Sequence, residues 1–152
     1  MNRSPQLRDL SEQHHHGLVA ARHMRLAGQG DRPLFETLAE FLSAWRREIR
    51  SHFRSEEDVL LPHFARVVPA DDPLIVRTLT EHVAFRRSIL ELRLAGEEAT
   101  VAMAMQIGQA LDDHIRFEER ELFPAIEEAL GEERLDAVLR SLKRWEARQK
   151  QR

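Results

Sequence analysis

His52-Phe53-Arg54-Ser55-Glu56-Glu57-Asp58-Val59-Leu60-Leu61-Pro62 recurs 62 residues later as His114-Ile115-Arg116-Phe117-Glu118-Glu119-Arg120-Glu121-Leu122-Phe123-Pro124. Both copies read His-x-Arg-x-Glu-Glu-x-x-Leu-x-Pro, with six identical positions. Residues four apart on a helix lie one above the other, about 6 Å apart along the axis. The histidine and the first glutamate of each copy therefore share one helical face. They also fall in line with apolar residues: Phe41, Trp45 and Ile49 before His52, and Leu111 before His114. Polar groups on a core-facing stripe are costly unless they are paired or bind a metal.

Outward from the two copies, apolar residues continue at three- and four-residue intervals, the signature of amphipathic helices, and strict strand-like alternation is missing. Gly28, Gly30 and Pro33 mark a first joint; Pro69, Asp71, Asp72 and Pro73 a second; Gly96 a third; Gly131 a fourth. The spacing predicts helices over about 5–27, 33–67, 73–94 and 97–130, then a shorter one over about 132–148. Expected inward positions include Leu79, His82 and Phe85 on the third helix and Val101, Met105 and Leu111 on the fourth. Short loops between long helices imply antiparallel neighbours. The expected fold is all-α: an up-down-up-down four-helix bundle over about 5–130, with a short C-terminal fifth helix covering its end, in a single domain of residues 1–152. Pro62 and Pro124 are expected to kink or end their helices.

The other helices supply partners for the repeat. The third carries His82, and the first carries His14, His15 and His16 in a row. The chain then reads His, His-x-x-x-Glu, His, His-x-x-x-Glu. Two hairpins packed about a pseudo-twofold axis would bring four histidines and two carboxylates to the bundle centre. That set suits two first-row transition ions with carboxylate bridges, and favours iron, manganese or zinc over calcium or magnesium. A lone His-x-x-x-Glu is weak, since such pairs also make surface contacts; two matched copies weigh more. Glu57 and Glu119 are expected to support the ligands rather than bind metal. His16, His23 and His63 are expected to face solvent.

These residues resemble the hemerythrin-like, or HHE cation-binding, domain over about Leu10 to Ala129. The segment from Leu10 to Leu18 also looks like the first helix of bacterial members. The resemblance implies a helical bundle with an oxo- or hydroxo-bridged pair of iron ions. It makes His52, His82 and His114 terminal ligands, Glu56 and Glu118 bridging carboxylates, and His14 or His15 (or both) the first-helix ligand. Oxygen-carrying members have a second histidine one turn after the third-helix ligand; here that position holds Arg86. The sequence thus departs from a five-histidine oxygen carrier, and an open metal position would favour ligand binding or redox chemistry.

Composition narrows the function. The 152 residues include no cysteine, which excludes disulfides, thiolate metal sites and iron–sulfur clusters. Net charge is −3 with both signs interspersed, so no nucleic-acid partner is expected. No membrane span or signal-like segment is read, and a cytoplasmic location is the default. The leading expectation is a di-iron protein that binds or senses dioxygen, nitric oxide, peroxide or redox state, as a monomer or homodimer, with any signal passing to a protein partner. The alternative is a di-iron enzyme reducing nitric oxide or peroxide. A metal-free or zinc-bound interaction module ranks third.

Overall fold

The computed structural model describes residues 2–152; Met1, counted in the domain expected over 1–152, lies outside them. A single turn of 3-10 helix, Pro5–Leu7, leads into α1, Arg8–Gly28. Helix α2 occupies 34–64 and contains two wider π turns, Trp45–Ile49 and Glu56–Leu60. Helix α3 is Pro73–Ala95. The last rod, α4, starts with Val101–Phe117, passes through a π turn at Glu118–Leu122 and continues as Phe123–Lys150. No strand occurs among the described residues, and no helix there is long and apolar enough to cross a membrane.

Local chemistry sets the helix ends. The Asp72 side chain accepts the Leu74 N–H at 2.9 Å, with Pro73 at the first helical position. Thr100 accepts the Met103 N–H in the same way at the start of α4. Such caps satisfy amide groups that the first helical turn leaves without a partner. Gly96 closes α3 at φ 52°, a conformation that favours glycine.

Neighbouring rods run antiparallel. Gly17 of α1 lies against Ile115 of α4, Gly108 against Ala21, and Gly28 against Met105, so the residue numbers run in opposite directions. These glycines bring α1 and α4 close: a Cβ at Gly108 would stand 2.7 Å from the Ala21 carbonyl oxygen. The α1–α2 and α3–α4 pairs show the same sense, with His52 beside Gln13 and Glu48 beside His16, and His114 beside Glu81 and Glu121 beside Arg77.

The core has two apolar parts. One gathers Phe41, Trp45, Phe85, Ile89 and Leu111, among others, toward one end of the bundle. The second gathers Leu7, Leu60, Phe64, Phe123 and Ile126 toward the other end. Between them, along every rod, sit His14, His52, Glu56, His82, His114 and Glu118, all buried.

Several expectations change. The short fifth helix is not set apart clearly: the chain passes from α4 into 132–150 across a kink at Gly131 (φ 71°, ψ 172°). The arm beyond the kink packs Leu135, Val138, Leu142 and Trp145 into the second apolar cluster. The Trp145 indole N–H donates to Asp58 at 3.0 Å, and the Gln6 amide donates to Asp136 at 2.8 Å. Pro62 and Pro124 do not simply break their helices. Each lacks the N–H that would bond four residues back. The turn before each widens instead, so the Leu61 N–H reaches the Glu56 carbonyl and the Phe123 N–H reaches that of Glu118. On α3 the inward position is Thr78 rather than Leu79, which is exposed, as is Val101.

Candidate metal centre

Five of the expected ligands come from the two repeats and His82, and the sixth is His14. His15 is exposed, its ring beside that of His16 and outside the cluster. Successive residues on a helix diverge by about 100°; burying His14 therefore turns His15 outward. His16 is exposed as expected, whereas His23 and His63 are half-buried, His63 hydrogen-bonded to the Ser141 hydroxyl at 3.0 Å.

The six buried side chains form two overlapping groups. His14, His52, Glu56 and Glu118 make one; His82, His114, Glu56 and Glu118 make the other. In the first, His52 Nε2 lies 2.9 Å from Glu56 Oε1 and His14 Nε2 lies 2.9 Å from Glu118 Oε2. In the second, His82 Nε2 lies 3.2 Å from Glu56 Oε2 and His114 Nε2 lies 2.8 Å from Glu118 Oε1. Each glutamate thus gives one oxygen to each group. The facing Nε2 atoms are 3.0 Å apart for His14 and His52, and 3.1 Å apart for His82 and His114.

The outward nitrogens are all engaged. Nδ1 of His14 donates to Glu119 at 2.6 Å, that of His52 to Gln13 at 2.7 Å, that of His82 to Glu57 at 2.8 Å, and that of His114 to Glu81 at 3.3 Å. A proton held on Nδ1 leaves a lone pair on Nε2 in the neutral ring. The centre is then lined by acceptors alone: four lone pairs and four carboxylate oxygens. Those oxygens are fully shielded from solvent and none accepts a well-formed hydrogen bond, although the Nε2 atoms are close. Such a centre requires cations.

Without metal, protons fill that need. Burial pulls the His14 imidazole down, but bonds to Glu118 and Glu119 outweigh it and push it up to about 9. His114 is likewise lowered by burial and lifted, chiefly by the Glu118 charge, to about 9. His82, buried but facing Glu118, Glu56 and Glu57, is pushed up to about 11. Burial raises the Glu118 carboxyl, yet His114, His14 and His82 hold it well below the usual range. Glu119, also raised by burial, is brought down to about 2 by His14, Ser11 and Arg3.

Metal ions fit the same space. Bonds of about 2.1 Å to imidazole or carboxylate, set near right angles, separate donors by about 3 Å. The nearest separations in each group are close to that, while His14 to Glu56 is 4.0 Å and His82 to Glu118 is 3.7 Å. Imidazole with carboxylate is a donor set for first-row transition ions. The residues that fix the rings are those that metal-binding histidines ordinarily need behind them. Aromatic rings close the walls: Phe53 lies parallel to His82 with centroids 3.9 Å apart, and Phe123 stacks on His14 at 5.2 Å.

A family model for the hemerythrin HHE cation-binding domain matches residues 6–126. The chain belongs to the hemerythrin HHE cation-binding family. Comparison with curated proteins and with solved structures finds no match. For this hemerythrin domain, cation binding at the buried histidine–glutamate cluster is the shared ground of family and geometry. Gln13, Glu81 and Phe123 are residues of the site that sequence reading passed over. One signal was available: a polar residue directly precedes the buried histidine in both odd-numbered helices, Gln13 before His14 and Glu81 before His82.

Arg86, in the place of a fifth histidine, does not enter the cluster. Its guanidinium donates to Glu57 Oε1 at 2.9 Å, the oxygen that also receives His82 Nδ1–H. It therefore steadies the carboxylate behind His82 from the rim.

Proposed function

We propose that this hemerythrin domain holds two iron ions, one per histidine pair, bridged by Glu56 and Glu118, and binds or senses a small molecule such as dioxygen, nitric oxide or peroxide. The reading is supported above all by a cavity of about 390 Å³ whose lining includes His14, His52 and the shared Glu118 but neither His82 nor His114. Its lining sets apolar Ile49, Phe53, Ile115 and Trp145 beside His14 and His52 and the exposed Arg47 and Glu48. Its apolar share, from Ile49, Phe53, Leu111 and Ile115, gives small uncharged molecules room beside the polar residues of the lining.

When bound, the iron pair supplies open coordination positions and exchangeable electrons. The chain's own residues do the rest. Four histidines and two carboxylates offer each ion two nitrogens and two oxygens. Glu119, Gln13, Glu57 and Glu81 hold the rings in one tautomer and one orientation. Phe53 and Phe123 keep bulk water from the imidazole faces.

The test is a narrowing of the cavity. Ser51 is exposed and lines its wall, so Ser51→Phe should leave folding and iron content intact. Stopped-flow binding of nitric oxide to the ferrous protein should become several-fold slower in this variant. An unchanged rate would remove the cavity from the account.

A further inference from the structure

The two halves of the cluster differ in what stands behind and around their histidines. Three rings donate Nδ1–H to a carboxylate: His14 to Glu119, His82 to Glu57 and His114 to Glu81. The fourth, His52, donates to the amide oxygen of Gln13. A carboxylate acceptor raises the basicity of the opposite ring nitrogen more than an amide does, and such supports shift metal affinity by about 10–100-fold. Arginines do not reverse this. Arg3 faces Glu119, while Arg86 faces Glu57 and Arg77 faces Glu81. Arg3 also pairs with Glu127 and Arg77 with Glu121, so each side keeps one carboxylate in excess of its arginines, and what differs is the acceptor that each imidazole meets.

Solvent access differs in the same direction. The cavity reaches His14 and His52 but not His82 or His114. Phe53 instead lies flat on His82 and edge-on to His114 at 5.3 Å. An enclosed pair with a carboxylate behind both rings holds a cation more firmly than a pair open to a cavity in which one ring, His52, has only an amide behind it.

We infer that the two metal positions are unequal: the position between His82 and His114 fills first and retains its ion, whereas the one between His14 and His52 fills second and exchanges. The inference rests on the metal-binding reading above and adds to it a means of regulation. The exchangeable position is the one the cavity reaches, so the capacity to bind a small ligand would follow the free metal concentration.

Zinc titration of the metal-free full-length chain tests this, read by calorimetry and by histidine side-chain proton–nitrogen correlation spectra. The first equivalent should shift the His82 and His114 signals and the second those of His14 and His52, with the second step weaker by about 10–100-fold. Two ions sharing two carboxylates repel each other, so unequal steps alone would not decide the matter. Gln13→Glu decides it, at an exposed position where folding is not at stake. The variant should tighten the second step and leave the first unchanged. Equal shifts of all four histidines at one equivalent, or a second step unmoved by Gln13→Glu, would overturn the inference while two bound ions still upheld the metal reading. Uptake of no zinc, and of no ferrous iron under anaerobic conditions, would overturn both.

Discussion

Glu118 sets one oxygen 2.9 Å from His14 and the other 2.8 Å from His114, and its side chain is wholly shut off from water. A buried carboxylate is tolerated only when its charge is met. Glu118→Gln keeps the shape and removes the charge that serves both halves. We expect the purified, iron-loaded variant to hold fewer than two irons per chain by metal analysis; retention of two would show that Glu118 does not bridge. At this scale the sequence is informative where it repeats. His52, Glu56, His114 and Glu118 stand out because two copies agree, and His82 because it interrupts an apolar stripe. His14 and His15 are adjacent and both border apolar residues, so only packing against α4 separates them. Gln13 and Glu81 escape notice because each supports a histidine on the neighbouring helix, a relation that no spacing within one helix encodes.

At the scale of elements, joints and periodicity foretell the rods, since Gly and Pro mark the loops and the 3.6-residue pattern marks the faces. They do not foretell how a rod accommodates a proline. The π turns at Glu56–Leu60 and Glu118–Leu122 begin at the two glutamates and end two residues before Pro62 and Pro124, so the local departure from regular helix coincides with the expected ligands. The apolar spacing points Leu79 and Val101 inward, yet both are exposed, because a helix of mixed hydrophobicity offers more than one apolar stripe. The glycines between α1 and α4 yield a graded expectation. A Cβ at Gly108 meets the Ala21 carbonyl oxygen at 2.7 Å, whereas one at Gly17 meets the tip of Ile115, which can turn away. Gly108→Ala should lower stability by about 1–3 kcal/mol in urea unfolding, and Gly17→Ala by clearly less. Equal effects would mean that the close approach of α1 and α4 is not what Gly108 serves.

The whole molecule is a polar layer between two apolar clusters, with the arm beyond Gly131 closing one of them. That layer makes the response to pH depend on metal. In the metal-free chain the imidazoles of His14, His82 and His114 are raised from 6.5 to about 9, 11 and 9. A raised imidazole stabilises the fold fully below the unfolded value and loses that contribution as pH climbs through the folded value. The lowered carboxyls of Glu56, Glu118 and Glu119 contribute above 4.5 and lose it as pH falls. The metal-free melting temperature should therefore peak between about pH 4.5 and 6.5 and decline toward pH 9. Metal binding displaces protons, so the loaded form should gain over the metal-free form across that alkaline range. Thermal unfolding of both forms across the series checks this, and parallel curves would contradict it.

The central claim is a pair of irons held by six buried side chains. Its most direct test is anaerobic loading with ferrous iron, removal of excess, metal analysis, and an optical spectrum before and after admission of air. Two irons per chain and new near-ultraviolet absorption on oxidation are the expected result. Fewer than one iron per chain with an unchanged spectrum would contradict the claim.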